Sequence, residues 1–88
     1  MDKKWYVYIL RCGDETLYCG VSDDVQKRLE AHRNGKGAKY TRGRAPLEVV
    51  YLEQCADHSQ ALKREYAIKR LPRRKKIELI SGAGDSVL

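Results

Sequence analysis

Two phenols, a guanidinium, an imidazole and a carboxylate stand where a fold could bring them together. Tyr8 and Tyr18 lie on two short apolar stretches near the N-terminus, Arg28 and His32 on a following helical stretch, and Glu65 on a later one. A lone carboxylate suits a hard divalent cation such as Mg²⁺, which keeps several waters and takes the rest of its shell from a phosphate. A guanidinium offers a fork matched to phosphate oxygens and cannot lose its charge. A phenol ordinarily titrates near 10. A neighbouring positive charge or metal-bound water lowers that toward a range in which the phenol can accept a proton. Together these parts suit attack of water on a phosphodiester, the charge of the pentavalent state being held by Arg28 and the metal. In such a site His32 would polarise Tyr18, shuttle a proton or hold the scissile phosphate.

Helical phase singles out the two charges. At about 100° per residue, Glu65 falls between Ala61 and Ile68 on one side and Leu62 and Tyr66 on the other, near the middle of an apolar arc. Lys63, Ala67 and Arg70 take the opposite, solvated side. Arg28 falls between Ala31 and the pair Val25 and Leu29, with His32 at i+4 on the same face. Burying an unpaired charge costs several kcal/mol, so each charge needs a partner or a purpose. The plain alternatives are an Arg28–Glu65 structural ion pair, side chains that snorkel out at the helix edge, and a packed, hydrogen-bonded helix histidine. Tyr8 alternates with Val7 and Ile9, and Tyr18 with Leu17 and Cys19, so each ring can face the helices across a thin two-layer domain. Either tyrosine alone is simply a good strand residue.

The elements that must carry these residues read as follows. Trp5 to Arg11 is rich in β-branched and aromatic residues and apolar on both alternating faces, which predicts a central strand. Gly13-Asp14-Glu15 supplies a turn and Thr16 to Val21 the returning strand of a hairpin. Gly20, directly after Tyr18-Cys19, leaves room at the site or marks a β-bulge. Asp23 is placed to cap a helix, with Gln26 completing a capping box, and Gly35 closes that helix at about Asn34. Asn34 to Pro46 is a Gly-rich basic loop, and Leu47 to Glu53 a third strand. Asp57 or Ser59 caps a second helix through Leu71, Pro72 interrupts, and Arg73 to Ile80 forms a short third helix. Residues 81–88 read as a frayed tail after a single domain over residues 1–80.

The chain has 88 residues, 42% of them apolar, enough for one modest core and too few for a second domain. A formal charge of +6 predicts attraction to a polyanion, nucleic acid first and an anionic membrane surface second. No apolar run approaches the roughly 20 residues of a membrane span, and no signal-peptide pattern follows Met1-Asp2-Lys3-Lys4. Cys12, Cys19 and Cys55 are odd in number and lack C-x-x-C pairing, which predicts reduced thiols in a cytoplasm. With His32 and His58 they show no zinc-ligand spacing.

These residues resemble the GIY-YIG nuclease family. Tyr6-Val7-Tyr8 stands where that family has Gly-Ile-Tyr, and Tyr18-Cys19-Gly20 where it has Tyr-Ile-Gly. Arg28 matches its helix arginine, ten residues after Tyr18; His32 matches a helix position that is often His or Tyr, and Glu65 its metal-binding glutamate. Tyr6, Val7 and Cys19 depart from the tripeptides, and the only asparagine, Asn34, precedes Glu65, where many family nucleases place one after it. The likeness runs from Trp5 to about Ile80 and is strongest to the small stand-alone bacterial branch, through Gly35-Lys36-Gly37-Ala38-Lys39-Tyr40-Thr41 and Ala67-Ile68-Lys69. It implies an α+β fold, a small three-stranded antiparallel sheet flanked by helices. It also implies hydrolysis of nucleic-acid phosphodiesters dependent on one Mg²⁺ or Mn²⁺ ion. In that scheme Tyr18 is the general base, Tyr8 assists or orders the water, Arg28 stabilises the phosphate and Glu65 holds the metal.

The basic elements supply a surface for such a substrate. Lys36, Lys39, Arg42 and Arg44 surround Tyr40, so a mobile loop would follow a phosphate backbone while the ring stacks on a base. The Gly-x-Gly inside it lacks the Gly-Lys-Ser/Thr of a nucleotide-binding loop. Arg73 and Arg74, within Lys69 to Lys76, offer further nucleic-acid contacts or a plain solvated face. The expectation is a monomeric, cytoplasmic, metal-dependent endonuclease acting on DNA, with no membrane contact. The competing readings are a non-catalytic nucleic-acid-binding module of the same fold and a basic protein-interaction domain.

Overall fold

Strand β1 spans Trp5–Arg11, and its four central residues, Val7 to Leu10, are all buried. A strand apolar on both faces must be covered on both, and β1 is the middle of a sheet ordered β2-β1-β3. The computed structural model describes residues 4–82. Strand β2 (Leu17–Ser22) returns antiparallel from a turn in which the Glu15 amide bonds the Cys12 carbonyl at 2.9 Å and Glu15 takes φ +69°. Strand β3 (Glu48–Cys55) pairs antiparallel on the other side and runs two residues beyond the expected Glu53. Its register passes from Ile9 opposite Tyr51 to Leu10 opposite Val49, leaving Val50 as the extra residue of a bulge.

The two faces of the sheet carry two cores. On one, Tyr8, Leu10 and Val49 pack with Val25 and Leu29 of helix α1 (Val25–Arg33). On the other, Val7, Ile9, Cys19 and Tyr51 pack with Ala61 and Ile68 of helix α2 (His58–Lys69), and Leu79 and Ile80 of helix α3 (Arg73–Gly82) add to that layer. The architecture is therefore the expected α+β sheet flanked by helices.

Helix α1 is capped by Asp24, whose carboxylate accepts the Lys27 amide at 3.1 Å. The Asp24 amide is itself taken up by the Ser22 hydroxyl at 2.9 Å, which moves the cap one residue past Asp23 and leaves no capping box with Gln26. Asp57 caps α2. Ser81 and Gly82 belong to α3, and the rest of the expected tail, residues 83–88, lies outside the described residues. Among the described residues no helix is long and apolar enough to cross a membrane. Cys12, Cys19 and Cys55 are free and buried.

Candidate active site

The site starts from a missing side chain. Gly20 lies directly opposite Tyr8 in the sheet, and a Cβ there would sit 2.5 Å from the Tyr8 Oη and 2.6 Å from its Cζ. The Tyr8 ring therefore crosses the bare backbone of β2 and reaches α1, where its Oη lies 2.9 Å from His32 Nε2. Room for the site, rather than a bulge, explains this glycine. Both groups are sealed, Tyr8 being 1% and His32 2% exposed. Tyr18, half-buried on the same face, presents its ring to both, 6.4 Å from Tyr8 and edge-on to His32 at 5.3 Å between centroids.

The other side of His32 is built by the way α1 ends. Gly35 adopts φ +74°, the Lys36 amide bonds the Ala31 carbonyl at 2.8 Å and the Gly35 amide that of His32 at 3.1 Å, a Schellman turn. That turn folds the chain back over the last turn of the helix. Gly37 then passes so near that a Cβ would meet His32 Cγ at 2.7 Å, with Nδ1 nearer still. The Ala38 amide donates to His32 Nδ1 at 3.2 Å, and the buried Thr41 hydroxyl lies 3.0 Å from the same nitrogen. The Gly-rich loop is thus not a free arm but a strap, ending in a single 3₁₀ turn over Lys39–Thr41. Thr41, Gly37 and Ala38 are not among the site residues that the sequence singles out, although all three lie in the Gly35 to Thr41 stretch that resembles the small bacterial branch.

Charge at the site is set by burial first. Burial pushes the Tyr8 phenol up to about 12, with Tyr18 adding to the rise and the Arg28 guanidinium opposing it through hydrogen bonding and charge. For Tyr8, desolvation of the phenolate outweighs the lowering by the arginine. Burial, then Arg28, holds His32 below its usual range, so the imidazole is neutral near pH 7. Arg28 itself lines an open depression of about 270 Å³ with Ser22, Asp23, Asp24, Lys27 and Ala31.

Tyr8, Tyr18, Arg28 and His32 are therefore gathered on the α1 face, whereas Glu65 belongs to the helix packed on the other face of the sheet. It lies on α2, across β2 from the tyrosines, where its charge helps raise the Cys19 thiol to about 11 after burial. It pairs with Lys69 at 3.4 Å, not with Arg28. Nor is it central to an apolar arc: Leu62 and Tyr66 are 45% and 62% exposed, so the buried stripe is Ala61 and Ile68, flanked by Arg64 and Glu65. Among the described residues no three His, Cys, Asp or Glu side chains gather into a closed metal cage. The Glu65 side chain, 20% exposed and held by a loose lysine contact, fits the sparser alternative, a cation that keeps most of its waters.

The basic residues divide by employment. Arg44 is a clasp: it donates to the Tyr40 carbonyl at 2.7 Å and to Asp14 at 2.5 Å, and lies 4.4 Å over the Tyr40 ring. The Thr16 hydroxyl and amide, then Arg44, hold the Asp14 carboxyl below the usual range. The Tyr40 ring also stacks on Tyr18 at 5.8 Å, so it is engaged within the fold rather than held out for a base. Arg42 donates to the Gly35 carbonyl and Arg73 to that of Glu15. Lys36, Lys39 and Arg74 are exposed. Lys76, not singled out by the sequence, lines a cleft of about 150 Å³ with Thr16, Leu17, Tyr40 and Arg73 beside the tyrosines.

A three-stranded α+β domain whose two hairpin strands each bring a tyrosine to an arginine and a histidine of the next helix has the arrangement that the resemblance to the GIY-YIG family implies. The model of the GIY-YIG catalytic domain matches residues 4–78, and the chain belongs to the GIY-YIG family. The UPF0213 protein OB0043 of Oceanobacillus iheyensis is 52% identical over 80 residues, covering 91% of this chain and 93% of that protein. The UPF0213 protein CPE1444 of Clostridium perfringens is 54% identical over 76 residues, covering 86% and 82%. The solution structure of the UPF0213 protein BH0048 from Bacillus halodurans matches with a TM-score of 0.61 at 46% identity, covering 92% of this chain and 86% of that one.

Proposed function

We propose that the protein is a metal-dependent endonuclease that hydrolyses phosphodiester bonds of nucleic acid, with DNA as the substrate. The observation that carries the reading is the sealed Tyr8–His32 pair, 2.9 Å apart, against the half-buried Tyr18. A structural core does not need two phenols, a neutral imidazole and a guanidinium turned toward one another. In the proposed reaction Arg28 binds the scissile phosphate from its open depression and holds the growing charge of the pentavalent state. Tyr18, the phenol nearer to solvent, takes the proton of the attacking water. Tyr8 stays protonated near neutral pH, as its raised pKa supports, and orders that water or the phosphate by hydrogen bonding. Glu65 would hold the Mg²⁺ or Mn²⁺ ion, which when bound supplies Lewis-acid stabilisation of phosphate oxygens. Lys36, Lys39, Arg74 and Lys76 would follow the backbone of the substrate, whereas Arg44 would contribute through the fold.

The test is cleavage of plasmid and branched DNA with Mg²⁺, then with chelator, by wild type and Glu65→Gln. Loss of cleavage in both arms is expected; activity that survives both removes the metal from the mechanism. One observation favours a second reading, a binding module with weakened chemistry: Glu65 lies across β2 from the tyrosines and is paired with Lys69. Salt-sensitive DNA binding with no cleavage in any metal would select it.

A further inference from the structure

The proton inventory around His32 leads to a positioning role that rests on the catalytic reading above and deepens it. The imidazole has two nitrogens, and the groups facing them are fixed. Nδ1 meets the Ala38 amide at 3.2 Å, and a backbone N–H can only donate. Nδ1 therefore presents its lone pair. The Thr41 hydroxyl, 3.0 Å from the same nitrogen, has one hydrogen and two acceptors in reach, the Ala38 carbonyl at 2.9 Å and Nδ1; facing an unprotonated Nδ1, it can share that hydrogen with the nitrogen. A neutral ring with an unprotonated Nδ1 carries its proton on Nε2, and Nε2 faces the Tyr8 Oη at 2.9 Å. The direction of that buried bond follows: His32 donates and the Tyr8 oxygen accepts. The phenolic hydrogen of Tyr8 is thus left over, free to be given to something else in the site.

We propose that Thr41, together with the Ala38 amide, is a positioning element that locks His32 in the Nε2–H form and thereby makes Tyr8 a hydrogen-bond donor to the reacting groups. Gly37 is part of the device, since any side chain there would displace the ring from the strap. The opposite tautomer would set an Nδ1–H against the Ala38 N–H and turn the phenolic hydrogen of Tyr8 inward, where no substrate atom can receive it. An imidazolium meets the same amide, and Arg28 opposes it as well. Of the two phenols, the arrangement assigns Tyr8 the giving role and leaves proton acceptance to Tyr18.

The test reads the ring before it reads turnover. Long-range nitrogen–proton spectra of selectively labelled histidine, assigned by comparison with His32→Gln, report which ring nitrogen carries the proton. Wild type at pH 7.5 is expected to show His32 protonated at Nε2 alone. A His32 protonated at Nδ1 overturns the proposal, whatever the enzyme does. Thr41→Val, nearly isosteric and without the hydroxyl, is expected to give a measurable population of the Nδ1–H form and a kcat roughly tenfold lower with unchanged DNA binding. Thr41→Ser is expected to restore both. A valine variant with the wild-type ring spectrum and full kcat overturns the role of Thr41. If the valine variant does not fold, the wild-type and serine spectra still decide the tautomer. If wild type fails to cleave any DNA while its ring is protonated at Nε2, the endonuclease reading falls and the tautomer assignment stands.

Discussion

The two faces of the sheet each hold a tyrosine and an arginine with a third polar group, and they use them in opposite ways. On the α2 face the Tyr51 hydroxyl donates to Glu53 at 2.5 Å, and Arg64 Nε reaches both Glu53 oxygens at 3.0 and 2.9 Å. Charge meets opposite charge and the phenol completes the set, so nothing remains to act on a third party. On the α1 face the Tyr8 phenol meets a neutral imidazole, and the arginine bears on that phenol and imidazole rather than on Glu65. Residue types alone do not separate these sets. What separates them is what the arginine is set against: a carboxylate on the α2 face, a phenol and an imidazole on the α1 face.

The arginines give the sharpest way to break the comparison. Arg28→Ala is expected to lower DNA cleavage by about 10²–10³-fold, the usual range for removing a group that stabilises transition-state charge, with little change in urea midpoint. Arg64→Ala is expected to leave cleavage within about twofold and cost about 1 kcal/mol of stability, because the pair it breaks is partly exposed. The reverse pattern would mean that the faces have been assigned the wrong way round.

A second pressure point is Gly20. An alanine methyl there would collide with the Tyr8 phenol, and overpacking of this kind typically costs about 1–3 kcal/mol. Urea unfolding of Gly20→Ala should show that loss, accompanied by a fall in cleavage larger than the loss of folded protein explains.

The smallest effect expected is one of pH. His32 binds its proton less readily folded than unfolded, so its contribution to stability is complete above about 6.5 and is lost as pH falls toward the lowered folded value. Unfolding midpoints at pH 7.5 and 5.0 should therefore fall more steeply for wild type than for His32→Gln. Equal slopes would mean that the imidazole is not held neutral by its surroundings.

Much of this was visible in the order of the residues. The bounds of β1 follow from its apolar run, and Gly35 does end α1. The hairpin tyrosines and Arg28 announce themselves by spacing. The helix cap lay one residue further along because a serine hydroxyl claimed the Asp24 amide, a local contest that pattern cannot rank. Phase placed Glu65 on an apolar arc by counting Leu62 and Tyr66 as buried; a wheel gives angle but not the reach of the neighbouring sheet, and both side chains face solvent. Arg44 and Tyr40 read as a nucleic-acid arm because nothing local joins residue 44 to residue 14, a contact that exists only once the strap has closed on the hairpin. The lock on His32 was hidden for another reason: two of its three parts are a backbone amide and an absent side chain, which leave almost no mark on composition.

The strand order has a consequence in time. Strand β1, the first to leave the ribosome, is the middle strand, and its second edge is closed by β3, with Trp5 opposite Cys55. At translation rates of about 5–20 residues per second, roughly 2 to 9 seconds separate synthesis of the end of β1 from that of the end of β3. Through that interval the hairpin can form, yet one edge of its most apolar strand still offers unpaired amides and carbonyls to any neighbouring chain. The strand that carries Tyr8 is thus also the segment most exposed to wrong pairing during synthesis, and the short distance to β3 keeps that exposure brief.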